Sequence, residues 1–226
     1  MELNPNDRPE ARRIARRTFL GVLTGGVASL WLGEPVWNAA RSLGAALSPI
    51  GIPSVAGGWR IFTVNPPMPV FDPKRWRLRI EGLVARPVEL TYADVRALPR
   101  AEQTSDFHCV TGWSVDDVRW AGVRFRDLLA AARPLPAARA LSFYSAERPY
   151  VDSLTLEQAM FPDALLAYEM DGKPLSRPHG APARVVMPRM YGYKNVKWVE
   201  RIVLTRTPLL GYWEERGYDA EAWIDS

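Results

Sequence analysis

Cysteine occurs once in the 226 residues, as Cys109, and histidine twice, as His108 and His179. A single thiol excludes an internal disulfide. One thiol with two imidazoles is also too sparse for a structural zinc site, which needs four ligands, and no Cys-x-x-Cys-His string is present to attach a haem. Charge of one sign is lacking too. The 29 basic and 25 acidic residues leave a formal +4, and part of that excess sits in the first 20 residues, where Arg8, Arg12, Arg13, Arg16 and Arg17 oppose Glu2, Asp7 and Glu10. The remaining body is close to neutral, so no nucleic-acid partner is expected. Proline and tryptophan are abundant, at 20 and 9 residues, which predicts a loop-rich body with large aromatic packing units. The length suits one good-sized domain with a substantial core.

Near the start, "RRIARRTFLGVLTGGVASLWLG" joins a basic region to an apolar run over residues 19–33. That run is shorter than the roughly 20 residues a membrane span requires and is rich in Gly and Ala, which fits an export signal. Arg16, Arg17, Thr18, Phe19 and Leu20 are similar to the twin-arginine signal. The expected organisation is a signal over residues 1–46, a linker over 47–60 and a catalytic domain over 61–226, placing the protein in the periplasm; the alternative is an N-terminal segment that stays attached as a membrane anchor.

Along the body, Trp76, Leu78 and Ile80 alternate with Arg77, Arg79 and Glu81, the period of a half-buried strand. "VEL" reads as a second short strand. Thr91 opens a helix over "TYADVRAL", with Asp94 placed for a capping box and Pro99 ending it. From Val110 the chain reads as loop, short strand and then a helix over residues 125–132. "RALSFYSA", "ARVVMP" and "ERIVLTRT" are strand candidates, and "TLEQAMF" is a short helix. Short strands interleave with short helices and lack long crossover helices, so an α+β fold with mixed sheets is expected.

The residues leave three roles open for Cys109. It is a buried small hydrophobe, a nucleophile, or a thiolate ligand to a metal whose other ligands come from an organic cofactor. Thr111, Gly112 and Ser114 make the surroundings a polar turn rather than a core run. His108 is adjacent in sequence, so on an extended chain it faces away from the thiol.

Two separated motifs, "HCVTGWS…RWAGVRFRDLL" and "HGAPARVVMPRMYGYKNVKWVERIVLT", resemble the sulfite-oxidase-type molybdopterin-binding oxidoreductases, and among them the small bacterial relatives of the periplasmic methionine sulfoxide reductase catalytic subunit. The resemblance covers roughly residues 62–205. It implies a sulfite-oxidase-like fold and a molybdenum–molybdopterin cofactor, with Cys109, followed by Trp113 and Ser114, as the catalytic metal ligand. It further implies that His179, Arg184 and Lys197 hold the pterin and its phosphate, with donors from the backbone amides of Asn195 and Val196. Asn65 and Ser145 match cofactor-contacting positions near the start and middle of the domain. Charge-assisted donors are what a partly buried phosphate needs, and Gly192 would let the backbone approach closely.

The reaction expected from the resemblance is oxygen-atom transfer on a small-molecule substrate. Sulfite oxidation calls for arginines around the metal. Here Asp106, Asp116 and Asp117 are the charges near Cys109 in sequence, while Trp113, Trp120, Tyr144, Tyr191 and Tyr193 offer an aromatic mouth. Reduction of a sulfoxide or N-oxide is therefore favoured; sulfite oxidation, or a metal-free binding protein on the same fold, is the alternative. Electrons are expected from a separate partner, a haem membrane subunit or a cytochrome. With only about 20 residues after Thr205, no dimerisation domain follows and a monomer is expected.

Overall fold

In strand β1 (Leu78–Gly82), fully buried Leu78 and Ile80 alternate with exposed Arg79 and half-buried Glu81, the one-sided pattern written in the sequence. The structure is a computed structural model that describes residues 58–224; the export-signal segment and the linker as far as residue 57 lie outside the described residues. Strand β2 (Val88–Leu90) pairs antiparallel with β1. Thr91 then caps helix α1 (Tyr92–Ala97): its hydroxyl accepts from the Asp94 amide, and the Asp94 carboxylate accepts from the Thr91 amide at 2.8 Å. Thr155 and Gln158 form the same reciprocal box on α3 (Leu156–Ala159). Helix α2 (Phe125–Ala130) has no side-chain cap; its buried Phe125, Leu128 and Leu129, at i, i+3 and i+4, hold it to the core.

Two sheets result. The first runs in the order β2-β1-β10-β5-β6, with β5 (Ala140–Ser145), β6 (Val151–Thr155) and β10 (Val199–Thr205); β1 and β10 are parallel and the other pairs antiparallel. The second is antiparallel throughout, in the order β3-β4-β7-β8, with β3 (Arg100–Cys109), β4 (Trp113–Arg124), β7 (Leu165–Met170) and β8 (Lys173–Pro174); β9 (Arg184–Val186) pairs with β7. A shared hydrophobic cluster joins Ile80, Phe143 and Ile202 of the first sheet to Val123, Leu166 and Val185 of the second, and takes in Val95, Leu128 and Ala159 from the three helices. The α+β, mixed-sheet architecture is the one expected.

The largest difference from the sequence reading is the β3–β4 hairpin. Residues 100–109, to which the sequence reading assigned no element, form a strand of 10 residues, and the short strand expected after the loop at Val110 runs for 12. A bulge explains why the period was hidden: Ser105 pairs with Val118 and Phe107 with Val115, so Asp116 and Asp117 together oppose Asp106. The Asp117 amide donates to Asp106 Oδ1 at 2.9 Å with Asp117 at φ 54°, and the alternation on β4 changes phase there. These three aspartates are exposed bulge residues. At the hairpin tip Cys109 pairs with Trp113 across a turn closed by Gly112 at φ +82°.

Candidate active site

The hairpin tip, the extended segment over residues 59–64, and the turns after β8 and β9 surround an open cleft with about 950 Å³ of empty space, mouth included. Its wall is mainly apolar and aromatic, with Trp59, Phe107, Trp113, Tyr150, Tyr193 and Trp198 prominent. Cys109 is half-buried on this wall, its Sγ 3.1 Å from the Thr111 hydroxyl. His108 turns away, its Nδ1 2.7 Å from Ser114 Oγ, so it has no contact with the thiol.

The basic residues come from the turns. Arg184 opens β9 and is buried, its guanidinium 5.5 Å from the Phe107 ring centre and 5.1 Å from that of Trp120. Among the described residues its polar contacts are long ones, to the carbonyls of His179 at 3.3 Å and of Asn195 and Val185 at 3.4 Å. Burial pulls its pKa down to about 10. Lys197 donates from Nζ to the Phe62 carbonyl at 2.7 Å and sits 4.0 Å above the Trp198 ring; burial, then Arg184, brings it down to about 7, against the pull of Glu147. Gly180, at φ +103°, seats this lysine, because a Cβ there would lie 2.9 Å from Lys197 Cβ. His179 packs edge-on to Trp59 at 4.9 Å. Burial, followed by Arg184 and Lys197, lowers it to about 4, so it is neutral at physiological pH.

Six of the eight residues singled out in the sequence line this cleft: Cys109, Ser145, His179, Arg184, Asn195 and Lys197. Two do not. Asn65 is exposed and donates to the Arg148 carbonyl at 2.8 Å, and Val196 is a core residue, 1% exposed. The backbone amides of Asn195 and Val196 are already used within their own turn, on the carbonyls of Gly192 and Lys194 at 3.1 Å each. Gly192 does permit a close approach, but by the Phe107 ring, 2.4 Å from where its Cβ would lie. Of the expected aromatic mouth, Trp113 and Tyr193 line the cleft; Trp120 is buried behind Arg184, and Tyr144 packs under Arg201 on the first sheet. Sequence reasoning missed Trp59, Tyr150 and Glu147. The carboxylate of Glu147, 4% exposed, accepts from the amide of Val64 at 2.9 Å and from the Thr63 hydroxyl. An acid directly after a strand candidate carries no motif, and only the fold gives it partners.

The chain matches the family model for the oxidoreductase molybdopterin-binding domain over residues 65–213. It belongs to that family. It is 40% identical to the uncharacterized oxidoreductase YuiH of Bacillus subtilis, over 65% of this chain and 74% of that protein. It is 31% identical to the protein-methionine-sulfoxide reductase catalytic subunit MsrP of Campylobacter jejuni, over 64% of this chain and 54% of that one. The sulfane dehydrogenase SoxCD of Paracoccus pantotrophus superposes with a TM-score of 0.58 at 28% identity, over 63% of this chain and 41% of the other. The chain thus spans about half the length of the MsrP it matches and less of SoxCD.

The protein is a molybdopterin-dependent oxidoreductase with the sulfite-oxidase-like fold, and its cleft fits the cofactor. Arg184 and Lys197 form no ion pair among the described residues, so their charges await an anion. Among the described residues the buried His179 Nδ1 and Trp113 Nε1 have no hydrogen-bond partner, leaving polar atoms on the wall for a heteroatom-rich ligand.

Proposed function

We propose that the protein reduces a neutral sulfoxide or N-oxide by oxygen-atom transfer, with Cys109 as the metal ligand. The observation that carries this reading is the position of the single thiol on the wall of a predominantly apolar cleft that also holds two uncompensated cations. Bound molybdopterin supplies a metal that accepts and donates an oxygen atom as it changes oxidation state. Arg184 and Lys197 bind the anionic end of the cofactor, and neutral His179 offers a ring nitrogen to its heteroatoms. Thr111, 3.1 Å from Sγ, donates its hydroxyl to the thiolate form of Cys109 and orients it. Phe107, Trp113 and Trp59 exclude water from this end of the cleft and give an uncharged substrate an apolar face. Reduction takes up two electrons and two protons and releases the reduced substrate and water; a separate donor, a haem membrane subunit or a cytochrome, supplies the electrons. The similarity to MsrP, a protein-methionine-sulfoxide reductase subunit, supports the sulfoxide class.

Sulfite oxidation is the second reading, and one residue favours it: exposed Arg60 lines the cleft without an ion pair among the described residues, a cation available to a small anion. Bulge residues Asp106, Asp116 and Asp117 do not line the cleft, so they do not bear on this choice. A metal-free binding protein would leave Arg184 and Lys197 buried without an anion. The test is turnover by cofactor-loaded protein with a dye electron carrier. Reduction of sulfoxide or N-oxide without sulfite oxidation supports the proposal; sulfite turnover that collapses in Arg60→Ala establishes the second reading instead.

We also infer export through Arg16 and Arg17, a signal suited to a protein folded around its cofactor before translocation. Among the described residues no helix is long and apolar enough to cross a membrane. Replacing both arginines by lysine is expected to block export, and normal export of that variant contradicts the signal.

A further inference from the structure

The cleft has one wall with no regular secondary structure. Residues 60–72 form neither helix nor strand, yet Ile61, Phe62 and Val64 face the cofactor space. A chain without a ladder must satisfy its backbone groups elsewhere, and here side chains of the body do so. Glu147, itself braced by donation of its amide to Ser145 Oγ at 2.9 Å, accepts from the Thr63 hydroxyl and from the amides of Val64 at 2.9 Å and Asn65 at 3.4 Å. Lys197 Nζ holds the Phe62 carbonyl at 2.7 Å, and the side chain of Asn65 reaches the Arg148 carbonyl. Both ends of the segment are fixed more firmly. Trp59 and Ile61, each 5% exposed, anchor one end, and Arg177 Nε grips the carbonyls of Met68 and Pro69 at 3.1 Å at the other. Between these anchors the strap is held by Lys197, by the Asn65 side chain and chiefly by Glu147, whose carboxylate accepts from three donors.

We propose that Glu147 and Lys197 latch residues 62–65 over the cleft and thereby control how fast the molybdopterin cofactor enters and leaves. The two roles of Lys197 make this a coupled device. The ammonium that holds the Phe62 carbonyl is also a cation on the cofactor wall, so an anion in the cleft competes with the strap for it, and Glu147 is left to keep the strap closed. Glu147 touches no reacting atom in this scheme; it is a positioning residue acting through the strap. The inference rests on the family cofactor and holds whichever reaction the protein carries out.

The test has two readouts on the full chain. Hydrogen exchange of the cofactor-free protein reports opening of the strap, and loss of pterin from the loaded protein, followed after separation from free cofactor, reports release. Glu147→Ala is expected to speed exchange at the amides of Val64 and Asn65 by about tenfold or more, the worth of roughly one charge-assisted bond. Exchange in β5 and β10 should stay unchanged, which separates latch opening from general loosening. Release should accelerate by a similar factor, and Glu147→Gln, which keeps an acceptor oxygen, should fall between. Thr63→Val removes one donor from the strap without touching the core and covers the case in which Glu147→Ala fails to fold; a smaller acceleration of both rates is expected. Unchanged exchange at residues 64 and 65, or faster exchange with unchanged pterin release, overturns the proposal.

Discussion

Two lysines three residues apart show how differently one turn can use buried charge. Lys194, 3% exposed, lies between two carboxylates: Asp152 Oδ1 at 2.8 Å and Glu214, with the Ala220 carbonyl at 3.1 Å as a third acceptor. Glu214 also accepts from the Gly211 amide at 2.8 Å, so the cluster pins the chain's last segment to β6. Lys197 has carbonyls and an aromatic face but no ion pair among the described residues, and it shares its surroundings with Arg184. The first arrangement is complete and structural. The second is a charge without its counterpart, which is what an anion-binding site looks like before its ligand is considered.

The comparison breaks most sharply at Lys194. Lys194→Met leaves Asp152 and Glu214 buried against each other, and should cost about 3–5 kcal/mol in urea denaturation. Lys197→Met should change the stability of the cofactor-free protein by less than about 1 kcal/mol, because the cost of burying a cation without an ion pair offsets its bond to the Phe62 carbonyl. Its effect appears in cofactor affinity, expected to fall roughly 10- to 100-fold as a charge-assisted bond is lost. If Lys197→Met proves as unstable as Lys194→Met, the contrast between the two lysines fails.

The same contrast appears in pH dependence. Lys197 titrates near 7 in the folded protein, below its ordinary 10.5, so between those values the unfolded chain binds a proton that the folded chain does not. Its contribution to stability therefore rises with pH from 7 to 10.5. Asp152 runs the opposite way: burial, opposed by Lys194 and reinforced by Glu214, lifts it to about 7, so its contribution falls as pH rises from 3.8 to 7. Denaturation of cofactor-free protein at several pH values should show the alkaline rise in the wild type and its loss in Lys197→Met. The smallest effect is expected at His179. It is already neutral, so His179→Asn keeps a neutral donor and should weaken cofactor retention by no more than about threefold.

Legibility followed the same division. Local rules carried β1, β2 and the Thr91 capping box, because alternation and the Thr-x-x-Asp spacing act within a few residues. The β3–β4 hairpin was hidden because its bulge shifts the side-chain phase and its inward positions include Ala101, Gln103 and Ser105 rather than large apolar residues. Strand β6 was hidden for a related reason: two of its buried residues are Asp152 and Ser153, which make sense only once Lys194 arrives from a turn more than 40 residues away. Cys109, His179, Arg184 and Lys197 were singled out through their motifs, and all four line the cleft. Glu147 and Trp59 act through contacts with partners distant in the chain, and Asn65 matched a motif position whose side chain the fold points elsewhere.

The most direct test is X-ray absorption at the molybdenum edge, comparing cofactor-loaded wild type with Cys109→Ser. If the lone thiolate completes the metal's coordination, the variant shows one sulfur neighbour fewer while its pterin content is retained through Arg184 and Lys197. An unchanged sulfur shell in Cys109→Ser contradicts the account.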